Sequence, residues 1–263
     1  MRQNFHLYVA VHPRDQGTLE KNLASSPDIA RRSISYTPLW GENSVPIRYA
    51  QALASANVDI AIFAHSDVYF PGGWFDRLLQ KLDGLSAYDP DWAVVSVLGR
   101  TKSGGLVGRI WDTSLRRVIG EATEVPVRIT AMDELAFIVR RSSGVSFDPN
   151  LPTDIHLYGT DLVLEAARLG KSSYGLDLPL LHNAKPGVRV TSSYINAYRY
   201  MVRKWSQELP IPTTTIPLVR SPWLLQFRRL RIRYKAIFRK STFSSERLVD
   251  LHAKAAELGF DSF

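Results

Sequence analysis

The 263-residue sequence contains no cysteine, which removes at once a disulfide framework, a zinc–thiolate site, an iron–sulfur cluster and a thiol nucleophile. It also lacks any apolar run approaching the roughly 18 to 20 residues of a membrane-spanning helix. The N-terminal apolar stretch is broken by His6 and closed by His12 without a small-residue cleavage site, so a first strand is expected there rather than a signal peptide. Acidic residues are missing from one more place. Between Arg220 and Lys240 lie eight basic residues (Arg220, Arg228, Arg229, Arg231, Arg233, Lys235, Arg239, Lys240) and no acid. The 33 Lys and Arg against 25 Asp and Glu give a formal charge of +8, and this one segment accounts for all of it. The body is neutral, and no nucleic-acid partner is expected for it. With 45% apolar and 22% charged residues, the rest has the composition of one folded unit large enough to bury a full core.

Short β-rich runs alternate with helical patterns over the first hundred residues, the signature of βαβ units and a largely parallel sheet. Strands are expected at Phe5 to Val11, Ser33 to Thr37, Asp59 to Ala64 and Trp92 to Leu98. Helices are expected at Gly17 to Leu23, at Pro46 to Ala56 with Pro in the first turn, and from Pro71-Gly72-Gly73 to about Leu82. The run Asp-Ile-Ala-Ile-Phe-Ala at 59–64 is typical of a strand buried on both faces. From Gly99 to Pro126 the pattern weakens into loops and a possible hairpin. Leu135 to Val139 is strand-like, Gly159 to Leu169 helical, Lys171 to Leu176 a returning strand and Tyr194 to Gln207 a helix. Prolines 210, 212, 217 and 222 mark a linker into the basic segment.

In an open α/β sheet, ligands bind beyond the carboxyl ends of the strands. That rule selects His12, Glu42, His65 and Asp67. An acid just past a buried strand, two places from an imidazole, has the reach to hold a divalent metal against a nucleotide diphosphate; the alternative is that Asp67 caps the following turn.

The stretch from Val45 to Pro71, with its small-residue helix, buried strand, His65-Ser66-Asp67-Val68 and following Pro, resembles the donor half of family 2-like glycosyltransferases. Those enzymes have the GT-A fold. The match is to the subgroup with His-x-Asp-Val in place of Asp-x-Asp. Later elements follow in the same order: Asp133-Glu134-Leu-Ala-Phe-Ile-Val-Arg-Arg, Phe147-Asp148-Pro-Asn-Leu, Tyr158-Gly-Thr-Asp161-Leu and His182. The resemblance spans roughly residues 5 to 185. Its departures are Ala50 where relatives carry Asn, His65 for the first acid, and Gly159-Thr160 for the acids before Asp161.

The resemblance implies an α/β, GT-A (Rossmann-like) fold: a mixed, mostly parallel sheet flanked by helices, with a C-terminal helical extension. With the proline and charge pattern, the expected division is a catalytic domain at 1–208, a Pro-rich linker at 209–222 and a basic amphipathic extension at 223–263. The resemblance also implies a divalent cation, Mn²⁺ or Mg²⁺, contacted by Asp67 and His182, and a nucleotide-diphosphate sugar as donor. Asp161 would be the base that deprotonates an acceptor hydroxyl, or else an acid at a helix start stabilised by the helix dipole. Asp133 and Glu134 would bind donor sugar or acceptor hydroxyls, or serve as turn residues. Arg48 would reach a phosphate or stay solvated; His12 and Glu42 would meet base or ribose.

On a helix, Trp223, Phe227, Leu230, Tyr234, Ile237 and Phe238 form one stripe about 100° wide, with cations on the opposite face. That pattern suits an anionic membrane surface contacted through 223–240; docking of the stripe on the body is the alternative. Leu224, Leu225 and Ile232 fall off the stripe and suit packing on the body. The expected function is an inverting, metal-dependent glycosyltransferase of cell-surface polysaccharide synthesis, cytoplasmic and peripheral at the inner membrane face, acting on a glycan or lipid-linked acceptor. A nucleotidyltransferase, or a non-catalytic module that kept the fold, stands beside it.

Overall fold

The computed structural model describes residues 4–42, 44–184, 190–221, 223–227, 230–231 and 246–261. The first half runs β1 (Phe5–Val11), α1 (Gln16–Lys21), α2 (Pro27–Ala30), β2 (Tyr36–Trp40), α3 (Val45–Ser55), β3 (Ile60–His65), β4 (Val68–Tyr69), α4 (Trp74–Tyr88) and β5 (Trp92–Ser96). Short strands follow: β6 (Gly99–Arg100), β7 (Leu106–Val107), β8 (Ile110–Asp112), β9 (Arg117–Ile119), β10 (Val127–Arg128), β11 (Ala131–Met132) and the longer β12 (Ala136–Arg140). The chain continues through α5 (Tyr158–Arg168), β13 (Ser172–Gly175), β14 (Leu180–His182), α6 (Ser192–Lys204) and α7 (Leu251–Glu257).

The main sheet has seven strands in the order β10-β13-β5-β12-β3-β1-β2. Strands β1, β2, β3, β5 and β13 share one direction, while β12 runs antiparallel to both β3 and β5 and β10 runs antiparallel to β13. Helices cover both faces. Because side chains alternate along a strand, Ala61 and Phe63 enter one apolar layer with α3, α5 and α6, while Ile60, Ile62 and Ala64 enter the other with α1 and α4. Rings of Tyr49, Phe63, Phe137, Phe147 and Tyr158 meet at centroid distances of 4.6 to 6.1 Å and tie α3 and α5 to the sheet.

The reversed β12 has a direct effect on the site. Its first residues follow Asp133-Glu134, so reversal puts those two acids at the edge where β3 ends in His65, and the His65 N–H donates to the Leu135 carbonyl at 3.0 Å. A second, four-stranded sheet, β4-β14-β8-β9, stands beside that edge. It brings together Asp67, just before β4, with the last residues of β8 and β14, Asp112 and His182.

Three expectations change in detail. The weakly patterned 99–126 region is not loop alone: it holds β6 to β9, each two or three residues long. The Pro-rich stretch does not hang free. Ile211, Thr213, Ile216 and Leu218 are buried, Ile211 and Leu218 pair across an antiparallel bridge, and the Tyr198 hydroxyl donates to the Pro217 carbonyl at 2.9 Å. Residues 223–227 are helical and Leu225 packs into the core, but most of the anchor expected over 223–240 (228–229 and 232–240) lies outside the described residues. The chain's end returns to the body: Leu251, Ala255 and Phe260 pack on Tyr69 and Leu181. No described helix is long and apolar enough to cross a membrane.

Candidate functional site

Beyond the carboxyl ends of β1, β2 and β3 lies a cavity of about 400 Å³. Four residues singled out from strand-end logic, His12, Glu42, His65 and Asp67, line it, and so does Arg48 from α3. Sequence reasoning missed Asp15 and Thr18 around α1, Asp154 before α5, and Arg247 from the C-terminal segment.

Asp67 and His182 meet at the rim. The His182 ring sits between two carboxylates, with Nε2 3.5 Å from Asp67 Oδ2 and Nδ1 3.1 Å from Asp112 Oδ2. Burial would lower the imidazole, but the two acids overcome it and push it up to about 10, so the ring carries a proton on both nitrogens at neutral pH. Burial acts oppositely on Asp67, yet His182 holds its carboxyl well below the usual range, and Asp112 shifts the same way for the same reasons. Asp112 is itself fixed, accepting from the Leu115 N–H at 2.9 Å and from the Ser114 hydroxyl.

A second group lies deeper. His65 Nε2 is 3.0 Å from the Tyr158 hydroxyl, and burial pulls this imidazole down to about 4, so it is neutral at pH 7. Asp133 and Glu134 are half-buried. Burial raises both carboxyls, and Asp133 pushes Glu134 further up; Glu134 Oε1 also accepts from the Gly159 N–H at 3.3 Å at the start of α5. The approach at Gly159 is close: a Cβ there would sit 3.0 Å from Glu134 Cγ and 3.1 Å from Met132 Cε, so those side chains would have to shift. Just before, Leu157 has φ of +66°, a conformation a branched side chain adopts only at a cost of about 1–3 kcal/mol. The strain lies between His156 and Tyr158, two residues that take part in this cluster.

Other expected contacts fall elsewhere. Arg48 is not solvated: it is buried, its Nη1 donates to the carbonyls of Val11 (3.1 Å) and Leu39, and it joins the ends of β1 and β2 at the cleft floor. His12 Nδ1 accepts from the Arg14 N–H at 3.1 Å, capping the turn that leads to α1. Glu42 is exposed at the mouth.

Asp161 does not face the cleft chemistry. It is 1% exposed, Oδ1 accepts from Trp205 Nε1 at 2.8 Å, and Lys204 Nζ lies 2.8 Å away. Lys204 also holds Asp148 (2.7 Å) and Glu165 (2.9 Å). Its oxygens meet a permanent cation and an indole, and it is not among the residues that line the cleft.

Two donors about 2.1 Å from one ion and at right angles lie about 3.0 Å apart, so Asp67 and His182 need only a small movement to share a cation. Among the described residues no three His, Asp or Glu side chains form a self-sufficient metal cage. The donor set fits a hard cation that takes its other ligands from water and phosphate oxygens. A cation held by Asp67 and His182 would take the Nε2 side of the ring, and Asp112 on Nδ1 would keep the ring oriented.

No protein-family model matches the chain. A curated Fuscovulum blasticum protein described as "ATP synthase subunits region ORF 6" is 29% identical over 145 residues, 51% of this chain; the chain spans about half of that relative, 55% of its length. Among solved structures, S. aureus TarS 1–349 in complex with UDP-GlcNAc matches with a TM-score of 0.51 at 12% identity, over 79% of this chain and 67% of that one. Mannosyltransferase PcManGT from Pyrobaculum calidifontis, in complex with GDP-Man and Mn²⁺, gives 0.48 at 14% identity, over 98% and 81%. The likeness to TarS is one of fold. The chain has a GT-A-like, mixed α/β fold.

Proposed function

We propose that the protein is a glycosyltransferase that moves a sugar from a nucleotide-diphosphate donor to a glycan or lipid-linked acceptor, with inversion and with a divalent cation, in cell-surface polysaccharide synthesis. The observation that carries this reading is the pairing of Asp67 with His182 at the rim of a cleft beyond the strand ends of a GT-A-like sheet. The similarity to TarS, which holds UDP-GlcNAc, supports a donor of that chemical class.

In this reading Asp67 and His182 hold the cation, Mn²⁺ or Mg²⁺, and Asp112 orients His182. When bound, the cation supplies positive charge against the departing diphosphate. The donor base and ribose lie toward His12 and Glu42, Arg48 shapes the floor, and neutral His65 and Asp133 hydrogen-bond donor sugar. Glu134 takes over the role first assigned to Asp161. Its raised carboxyl is matched to removing a proton from an acceptor hydroxyl in the transition state, as the oxygen attacks the anomeric carbon from the face opposite the leaving group.

We place the enzyme in the cytoplasm, at the inner face of an anionic membrane. Trp223, Phe227 and Leu230 are exposed, and Arg199, Arg203 and Arg220 line the groove beside Trp223, which supports contact of 223–240 with anionic headgroups. Flotation with phosphatidylglycerol but not phosphatidylcholine vesicles, lost in a Trp223→Ser/Phe227→Ser/Leu230→Ser variant, is the expected result. The central test is incubation with a panel of nucleotide sugars, Mn²⁺ and membrane-derived acceptors. Release of nucleoside diphosphate with sugar transfer supports the reading, release of pyrophosphate points to a nucleotidyltransferase, and no binding of any nucleotide sugar points to a non-catalytic module.

A further inference from the structure

The C-terminal segment is more than a cap on the fold. After the basic stretch, residues 246–261 dock on the four-stranded sheet whose strand ends carry Asp112 and His182, with Asp67 just before β4. The docking passes through one buried side chain, Asn183, which is 1% exposed. Its N–H donates to the Asp67 carbonyl at 2.9 Å, Nδ2 donates to Asn22 Oδ1 at 2.7 Å and to the Leu248 carbonyl at 3.1 Å, and Oδ1 accepts from the Leu248 N–H at 2.8 Å. The residue that precedes Leu248, Arg247, is thereby delivered to the wall of the cleft.

Arg247 is held but not saturated. Its Nη1 donates to Thr18 Oγ1 on α1, while Nε is buried without a hydrogen-bond partner among the described residues. An orphaned buried donor is unfavourable, and a bound acceptor would relieve it. The other arginine lining the cleft, Arg48, also has a buried Nε without a hydrogen-bond partner among the described residues, but its Nη1 is committed to the Val11 and Leu39 carbonyls at the strand ends. Four acids, Asp15, Glu42, Asp67 and Asp154, line the same space, so an incoming polyanion needs a cation other than Arg48 to meet it. A guanidinium presents a fork of N–H donors that matches phosphate oxygens.

We propose that Arg247 is a diphosphate-binding arm: a guanidinium supplied by the C-terminal segment, hinged on the Asn183 amide, that engages the phosphate oxygens of the donor in the cleft it lines with Asp67. This rests on the reading of the cleft as a nucleotide-sugar site. It makes the last residues of the chain part of the donor site, with Thr18 as the resting partner that phosphate replaces.

Calorimetry on the full chain tests it, with UDP, GDP, the nucleosides uridine and guanosine, and inorganic pyrophosphate as probes. The variants are Arg247→Gln, which keeps a donor for Thr18 and removes the charge, and Arg247→Lys. For whichever nucleoside diphosphate binds, Arg247→Gln weakens binding about ten- to a hundredfold, Arg247→Lys weakens it less, and the matching nucleoside and the melting temperature are unchanged. Equal affinity of wild type and Arg247→Gln for a bound nucleoside diphosphate overturns the arm and leaves the glycosyltransferase reading standing. Binding of pyrophosphate alone, lost in Arg247→Gln, keeps the arm and removes the nucleotide-sugar reading. No binding of any phosphate probe by the wild type overturns both.

Discussion

Two acid-rich clusters, one between α5 and α6 and one at the strand ends of the four-stranded sheet, are built oppositely. Around Lys204, the carboxylates of Asp148, Asp161 and Glu165 surround one permanent cation, and Trp205 fills a remaining lone pair. Around His182, Asp67 and Asp112 surround a cation that can be given up, because an imidazole loses its proton where an ammonium group does not. The first cluster is closed to solvent at Asp161. The second opens on a cavity and adjoins two further acids, Asp133 and Glu134, whose carboxyls are raised by burial. Acids locked to lysine hold helices together, whereas acids around a histidine can exchange a proton for a metal.

The largest expected effect separates the clusters by function. Asp67→Ala loses sugar transfer by on the order of 10³-fold, since the cation it helps hold supplies several kcal/mol of charge stabilisation, and Mn²⁺ binding measured by electron paramagnetic resonance falls with it. Asp161→Asn retains Mn²⁺ binding and most of its transfer rate. A dead but well-folded Asp161→Asn would erase the contrast between the clusters.

Next comes Glu134→Gln, expected to slow transfer about 10²-fold or more while donor affinity by calorimetry stays within twofold. Loss of donor affinity instead would make Glu134 a sugar-binding group and move the base to Asp133. The reverse experiment is on the structural cluster. Lys204→Met leaves Asp161 buried and unpaired, and urea unfolding should show a loss of about 3 kcal/mol.

The smallest effect concerns pH. With metal removed, the His182 imidazole is raised by its two acids to about 10 in the folded protein, against an unfolded value near 6.5. A raised value stabilises fully below about pH 6.5, and that stabilisation is lost as pH rises toward 10. The melting temperature in EDTA should therefore fall between pH 7 and 9.5 more steeply in the wild type than in His182→Gln. Parallel curves would show that His182 is neutral in the folded state.

Much of this was legible before any coordinates. The apolar run of β3, the Pro-started α3, the helical period of α5 and the acid beyond β3 each follow from local pattern, and local pattern reports burial and period directly. What local pattern does not report is which neighbour a helix face meets. Asp161 begins a helix as expected, yet its role was decided by Lys204 and Trp205, more than forty positions later on α6. Asp112 was invisible because β8 is three residues long in a glycine-punctuated stretch, too short for any period to register. Arg247 sits beyond a basic segment that reads as a separate appendage, and local pattern does not report that the chain returns to pack on Tyr69 and Leu181 and to bond Asn183.

That amide also defines how the C-terminal segment would be lost. Asn183 Nδ2 faces two oxygens, Asn22 Oδ1 and the Leu248 carbonyl, at a site closed to water. Deamidation replaces this nitrogen with an oxygen of nearly the same size, so shape is kept while two attractions become repulsions and a negative charge is buried. Chemical ageing at one atom would loosen residues 247 and 248 at the cleft wall while Leu251, Ala255 and Phe260 stay packed on the sheet.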